Sequence, residues 1–235
     1  MSPWAERLRE KYFGDAVHPY EVFEQTVLAN LGPQDTLLDA GCGREAPVLA
    51  RFKGRAQELI GVDVVDFRFA TPGLTLLQRD LTDTGLPDGS VNVIMARSVM
   101  EHIVDPIATY REMSRILVPG GHFVFLTANM WDYATLLAKL IPNRWHPWIV
   151  ARAEGRKEED VFPIQYKTNT RRTVSRFAGQ TGFDLVSFSY LGQYPSYFLF
   201  SGPLFLLATA YEKLTDKIRP LRFLKGWILV VLRKK

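Results

Sequence analysis

Three aspartates and two glycines are the residues whose types and spacing can do chemistry in this sequence. Residues 37–44 read LLDAGCGR, and Gly41 and Gly43 permit backbone dihedrals and a close approach that a Cβ would block. A ligand can lie against such a loop and the amino end of the helix expected after it. Asp63 stands 22 residues after Gly41, at the end of a second apolar run. A carboxylate there can accept two hydrogen bonds from ribose hydroxyls, and its charge strengthens both. Asp80 ends a third run in Gln78-Arg79-Asp80-Leu81, where it can accept from an adenine amino group while Val64 or Leu81 packs on the base. Arg97, at the end of a fourth run, completes the cofactor-side set. A lone Gly-x-Gly loop is also an ordinary strand–helix turn. Three such features in order, each at a strand's carboxyl end, define a ligand site.

The elements that must position these residues follow from the hydrophobic pattern. Strands are expected over 36–40, 58–64, 74–79, 91–96 and 122–127, with helices over 46–52 and 106–117 between them. Asp105-Pro106 supplies a capping residue and a proline at the first helical position, and Pro119-Gly120-Gly121 is expected to close that helix. Residues 1–33 read as an N-terminal helical segment stopped by Gly32-Pro33. After Thr127 the rhythm breaks: an irregular, aromatic-rich insertion over 129–169, a helix over 170–181, a strand over 183–190, an apolar and basic insertion over 195–225, and a last strand over 227–232. Nearly continuous apolar strands separated by helices predict a parallel sheet covered on both faces, in a single domain spanning 1–235. Such a sheet binds its ligand at the carboxyl ends of its strands.

Bulk properties narrow the function classes. The 235 residues are 47% hydrophobic and 23% charged, an ordinary globular composition. The net charge of +4 is uneven: residues 211–235 carry +6, leaving −2 on the rest. A slightly acidic body argues against nucleic acid as a partner, as does Arg97-Ser98-Val99-Met100 where an Asn/Asp-Pro-Pro-aromatic signature would stand. The lone cysteine, Cys42, forms no internal disulfide and no zinc-type spacing, so no metal is expected. The N-terminus lacks the apolar core of a signal peptide, which makes a cytoplasmic protein the expectation.

Two nucleotide-type ligands remain. Gly41-x-Gly43-x-x-Ala46 followed by Asp63 satisfies the dinucleotide fingerprint of a nicotinamide oxidoreductase. Against that, Asp39 places a carboxylate where a dinucleotide fold has an apolar residue and where a cationic methionyl group is favoured, and Asp80 has no part in that fingerprint. In residues 37–43 (LLDAGCG), 61–63 (GVD), 78–81 (QRDL), 86–94 (LPDGSVNVI), 100–102 (MEH) and 117–125 (LVPGGHFVF), the chain resembles the class I S-adenosylmethionine-dependent methyltransferases. The likeness is greatest to the small-molecule enzymes of the ubiquinone/menaquinone methyltransferase-like branch. The resemblance covers about residues 34–130 and a final pair of strands. It implies a Rossmann-like, doubly wound seven-stranded sheet with an antiparallel last strand. It also implies S-adenosylmethionine contacts at Asp39, Gly41, Gly43, Asp63, Asp80 and Leu81. Arg44-Glu45 replaces the small residue that many relatives carry after the glycines.

Transfer from a sulfonium is an in-line displacement, so a general base is needed only where the acceptor must lose a proton. His102, just beyond the fourth strand, is the candidate base; the alternative is that Glu101-His102 simply structures that loop. His18, Asn129, Trp131, Trp145 and Tyr166 are the candidate acceptor-lining residues, and the aromatics of 129–169 suit a bulky small-molecule or lipid-like acceptor. Those aromatics can equally form a satellite core. Residues 197–211 (YFLFSGPLFLLATAY) are too short and interrupted to cross a membrane, but with the basic stretch after them they suit peripheral membrane contact over 197–235. A buried lid or a dimer surface is the competing reading. A third overall alternative is a non-catalytic docking module on the same fold.

Overall fold

The computed structural model describes residues 2–67, 71–133, 135–136 and 162–235. Seven strands form one sheet: β1 (Thr36–Ala40), β2 (Glu58–Asp63), β3 (Thr75–Gln78), β4 (Val91–Arg97), β5 (Leu117–Ala128), β6 (Phe183–Leu191) and β7 (Trp227–Lys234). Their order is β3-β2-β1-β4-β5-β7-β6, parallel but for an antiparallel last strand. The described helices are α1 (Pro3–Phe13), α2 (Pro19–Ala29), α3 (Pro106–Ile116), α4 (Arg171–Gln180) and α5 (Gly202–Lys217). By its contacts the chain forms two compact units.

The larger unit holds most of the sheet and comprises residues 20–127, 165–189 and 229–235. β1 lies between β2 and β4 and is buried along all but its first residue, which explains why its sequence is a continuous apolar run ending in Asp39-Ala40 rather than an alternation. Tyr110 of α3 is fully buried, with its ring 6.0 Å from Phe123 and 5.8 Å from Phe177, and its hydroxyl 2.9 Å from that of Thr168. Each such aromatic contributes about 1.5–3 kcal/mol through burial. α3 begins as its sequence dictates: the Asp105 carboxylate accepts from Ala108 N–H at 3.0 Å and Pro106 takes the first turn. α4 opens with a reciprocal Thr170–Thr173 capping box.

Two expected elements differ. The helix predicted over 46–52 is only a 3-10 turn at Leu49–Phe52. Ala46 precedes Pro47, which disfavours the α region, and it sits in the left-handed region at φ 46°. Pro119-Gly120-Gly121 does not terminate α3, which has already stopped at Ile116. It lies inside β5 as a bulge, where Val91 pairs with Leu117 and Val93 with His122. The N-terminal segment is helical as expected, in two helices, α1 and α2.

The smaller unit is built from the described residues among 1–19, 128–164 and 190–228. Phe13 of α1 meets Phe205 of α5 edge-on at 6.3 Å, and Lys213 of α5 donates to the Tyr12 carbonyl at 2.8 Å. Glu212, on the inner side of α5, is buried near Asp132 and Asp216, and Lys225 forms an ion pair with Asp216. Burial, then Asp132 and Asp216, raise the Glu212 carboxyl from its ordinary 4.5 to about 8, against the pull of Lys225. The folded protein therefore holds a proton on Glu212 that the unfolded chain releases above pH 4.5, and the associated stability is lost as pH rises toward 8. Glu212→Gln should stabilise the protein by on the order of 2–4 kcal/mol at pH 9 and leave it nearly unchanged at pH 5. Urea midpoints at the two pH values read this directly. An equal shift at both would contradict the assignment.

Candidate functional site

The strand order reverses between β1 and β4, so the loops leaving these strands part and leave a crevice at their carboxyl ends. Asp39, Gly41 and Gly43 leave β1 there, with Asp63 at the end of β2 and Arg97 at the end of β4. Asp39 registers with Gly61 on one side and Met95 on the other, which buries its carboxylate between two strands.

The loop is held from both sides. Gly41 N–H donates to the Val62 carbonyl at 2.8 Å, and Gly43 N–H donates to Asp63 Oδ2 at 2.8 Å. The other Asp63 oxygen accepts from Val65 N–H at 3.2 Å. Both glycines have positive φ, 83° and 73°, for different reasons. A Cβ on Gly41 would lie 2.3 Å from Val99 Cγ2, so this position must be bare for the loop to pack on the segment after β4. A Cβ on Gly43 would meet nothing within 4 Å, which leaves open space over the loop.

Asp39 is the electrostatic centre. Its Oδ2 is buried and has no hydrogen-bond partner among the described residues. Burial raises its carboxyl from an ordinary 3.8 to about 7, Arg97 pulls it down, and Asp63 pushes it up. A buried acceptor without a donor is costly, and a cationic ligand relieves that cost. Arg97 is itself fixed, with its guanidinium 4.3 Å from the Tyr20 ring centroid and 3.6 Å from Glu24. It shapes the site through its charge on Asp39. The Cys42 thiol is buried beside Asp39 and Asp63 and is held well above the usual thiol range, first by burial and then by those two carboxylates, so it is no nucleophile.

The remaining cofactor-side residues fall at the ends of β2 and β3. Val64 is exposed just past β2. Leu81 is buried, and the exposed Asp80 accepts from both the N–H and the hydroxyl of Thr82, at 2.8 and 2.6 Å. Asp39, Gly41, Gly43, Asp63 and Arg97 are linked by contacts and electrostatics, whereas Asp80 and Leu81 form a separate turn.

On the acceptor side, His102 is half-buried on the turn after β4, where its backbone N–H donates to the Val99 carbonyl at 2.8 Å. Glu101 organises that turn. Its buried carboxylate accepts from Thr127 Oγ1 at 2.6 Å, Thr127 Oγ1 accepts from Asn169 at 2.8 Å, and the Glu101 carbonyl accepts from Gln165 and Tyr166 N–H. Tyr166 follows at φ 50°. Asn129 corrects an expectation: it is fully buried, and its amide donates to the carbonyls of Phe223 and Lys225 at 2.6 and 2.7 Å while its oxygen accepts from Trp131 N–H. Its side chain is thus a clamp within the smaller unit, with both amide hydrogens committed to main-chain carbonyls. Trp131 is exposed and His18 half-buried in that same unit. Trp145 lies outside the described residues, as do His146 and Trp148. Ser98 was not singled out from the sequence. It follows β4 at φ 57° with a buried hydroxyl that has no hydrogen-bond partner among the described residues, and only its position after a strand end could have marked it.

Residues 7–187 match the methyltransferase-domain family. A probable S-adenosylmethionine-dependent methyltransferase from Mycolicibacterium smegmatis is 32% identical over 117 residues, covering 47% of this chain and 44% of that protein. The chain thus spans less than half the length of that curated relative. Among solved structures, an S-adenosylmethionine-dependent methyltransferase from Mesorhizobium loti aligns with a TM-score of 0.58 at 18% identity, covering 94% of this chain and 99% of that one. A geranyl diphosphate C-methyltransferase from Streptomyces coelicolor A3(2), solved with S-adenosyl-L-homocysteine, aligns with a TM-score of 0.58 at 18% identity, covering 92% and 78%.

The fold is that of the class I methyltransferases, Rossmann-like with an antiparallel last strand. The chain belongs to the methyltransferase-domain family, and its cofactor is S-adenosylmethionine. The site fits that group: a buried carboxylate oxygen with no hydrogen-bond partner among the described residues, suited to a cation, and open space over Gly43. Among the described residues no cluster of three or more His, Cys, Asp or Glu is disposed to hold a metal.

Proposed function

We propose that the protein moves the methyl group of S-adenosylmethionine to a small-molecule or lipid-like acceptor, as enzymes of the ubiquinone/menaquinone methyltransferase-like branch do. The observation that carries the donor half is the buried Asp39 carboxylate, whose Oδ2 has no hydrogen-bond partner among the described residues, beside a glycine loop pinned by Asp63. Bound at this loop, S-adenosylmethionine supplies an electrophilic methyl on a good leaving group. Asp39 provides the negative charge that favours its cationic end, Asp63 accepts from its ribose hydroxyls, and the exposed Val64 offers apolar surface for its base. The protein's own contribution to rate is orientation and exclusion of water. For an acceptor that must lose a proton, His102 on the turn braced by Glu101 is the base. The aromatic content of 129–169, with Trp131 and Phe162 exposed among its described residues, supports an apolar acceptor.

Incubation with S-adenosylmethionine labelled in the methyl group, alongside lipid and aqueous metabolite extracts, tests both halves. The expected result is label in an organic-soluble or small-molecule product, together with calorimetric binding of the cofactor. Binding with label appearing only on protein would refute the acceptor assignment. Absence of binding would refute the donor assignment.

A further inference from the structure

α5 presents two different faces. Phe205, Thr209 and Glu212 are buried on one side, within the smaller unit. On the other side Leu204, Leu207 and Leu214 recur at helical spacing and are exposed, and Ile218 follows at the helix end. Leu207 is 70% exposed, and Phe200, just before the helix, is 67% exposed. Among the described residues no contact covers this leucine and phenylalanine surface.

The charges bordering this stripe have one sign. Lys217 stands three residues on from Leu214, and the 3-10 turn Arg219–Leu224 places Arg219 and Arg222 one turn apart, both exposed, with Phe223 exposed beside them. The acids in this region are already committed: Glu212 is buried and Asp216 is paired with Lys225. The surface is therefore apolar and cationic, with no exposed carboxylate left unpaired between residues 197 and 225.

We propose that the outer face of α5 and the turn after it form a docking surface for an anionic lipid bilayer. The helix would lie in the interface with the leucine stripe at acyl-chain depth and Lys217, Arg219 and Arg222 at the phosphates. No described helix is long and apolar enough to cross a membrane, and the inner face of α5 is already used in packing. A second copy of this chain is the weaker occupant, because an isologous contact through the stripe sets Lys217, Arg219 and Arg222 near their own equivalents. The surface belongs to the smaller unit and is independent of the cofactor loop, so this proposal and the assigned reaction can fail separately.

The test is co-sedimentation of the full chain with vesicles of phosphatidylcholine alone or mixed with phosphatidylglycerol. Binding is expected only to the anionic vesicles, and it should weaken as salt is raised. Each cation is worth about a five-fold change in partitioning, so Arg219→Glu with Arg222→Glu should lower it by at least ~25-fold. Leu207→Asp should lower it by about ten-fold or more. Val186→Asp, an exposed apolar position on β6 of the other unit, should leave it unchanged. All variants should keep their thermal melt and cofactor affinity, which shows that they are folded. Equal binding to neutral and anionic vesicles, or none to either, overturns the proposal. So does a concentration-dependent dimer in sedimentation velocity that Leu207→Asp abolishes, which would make a second copy the occupant.

Discussion

Asp63→Ala should lower S-adenosylmethionine affinity by about 100-fold or more while leaving the fold intact. The carboxylate is used twice. It holds the loop through Gly43 N–H at 2.8 Å and caps the turn after β2 through Val65 N–H at 3.2 Å. Under the proposed assignment, its remaining lone pairs accept from the ribose hydroxyls of the cofactor. Hydrogen bonds to a charged group contribute about 1.5–3 kcal/mol each, so losing two acceptors to the ribose accounts for the whole effect. The folded state suffers less, because the half-buried Gly43 and Val65 donors can turn to water once the carboxylate is gone. Asp63→Asn should fall between the two, since the amide keeps one acceptor and loses the charge. Calorimetry on the three proteins, with circular dichroism melts as the folding control, checks the order. A dissociation constant for the alanine variant within about three-fold of the parent would remove Asp63 from the binding machinery.

The sheet and the donor site were legible in the sequence because both are local. A central strand buried on two faces writes a continuous apolar run, and 36–40 and 58–63 read as such almost to the residue. The carboxyl ends of those runs hold Asp39 and Asp63, so naming the strands located the candidate site. The differences arise where a residue's role depends on partners far away in the chain. Asn129 looked available for an acceptor because nothing near it shows that its amide bonds to the carbonyls of Phe223 and Lys225. Glu101-His102 leaves two readings open in the sequence, a base or a loop brace, and the bond from Thr127 on β5 to the Glu101 carboxylate that bears on the choice comes from 26 residues away. Residues 46–52 carried a helical pattern, and the veto came from one pre-proline residue that the pattern does not weigh. The crowding of Glu212 by Asp132 is likewise invisible in a sequence where the two stand far apart.

Asp39→Asn should stabilise the free protein and weaken cofactor binding at the same time, which separates a site residue from a packing residue. Burial raises the Asp39 carboxyl to about 7, so the folded state binds a proton that the unfolded chain has released above its ordinary 3.8. The sign follows: stability associated with this group is full below about pH 4 and is lost as pH rises toward 7. Replacing the carboxyl with a neutral amide removes that loss, a gain on the order of 2–4 kcal/mol at pH 8 and little at pH 4. Cofactor binding runs the other way. The cationic end of S-adenosylmethionine favours ionised Asp39, so parent affinity should fall below pH 7, approaching about ten-fold per pH unit. The asparagine variant should bind about 10- to 100-fold more weakly at pH 8, as expected for the loss of one partly screened buried charge, and its affinity should be flat with pH. S-Adenosylhomocysteine, which lacks the sulfonium charge, should lose less than S-adenosylmethionine on the same substitution. Paired urea and calorimetric series across pH 5–9 measure all of this on one pair of proteins. A variant that gains stability yet keeps parental affinity and pH dependence would show that the buried carboxylate does not face the cofactor. In that case the charge preference of the site would have to come from Asp63 alone.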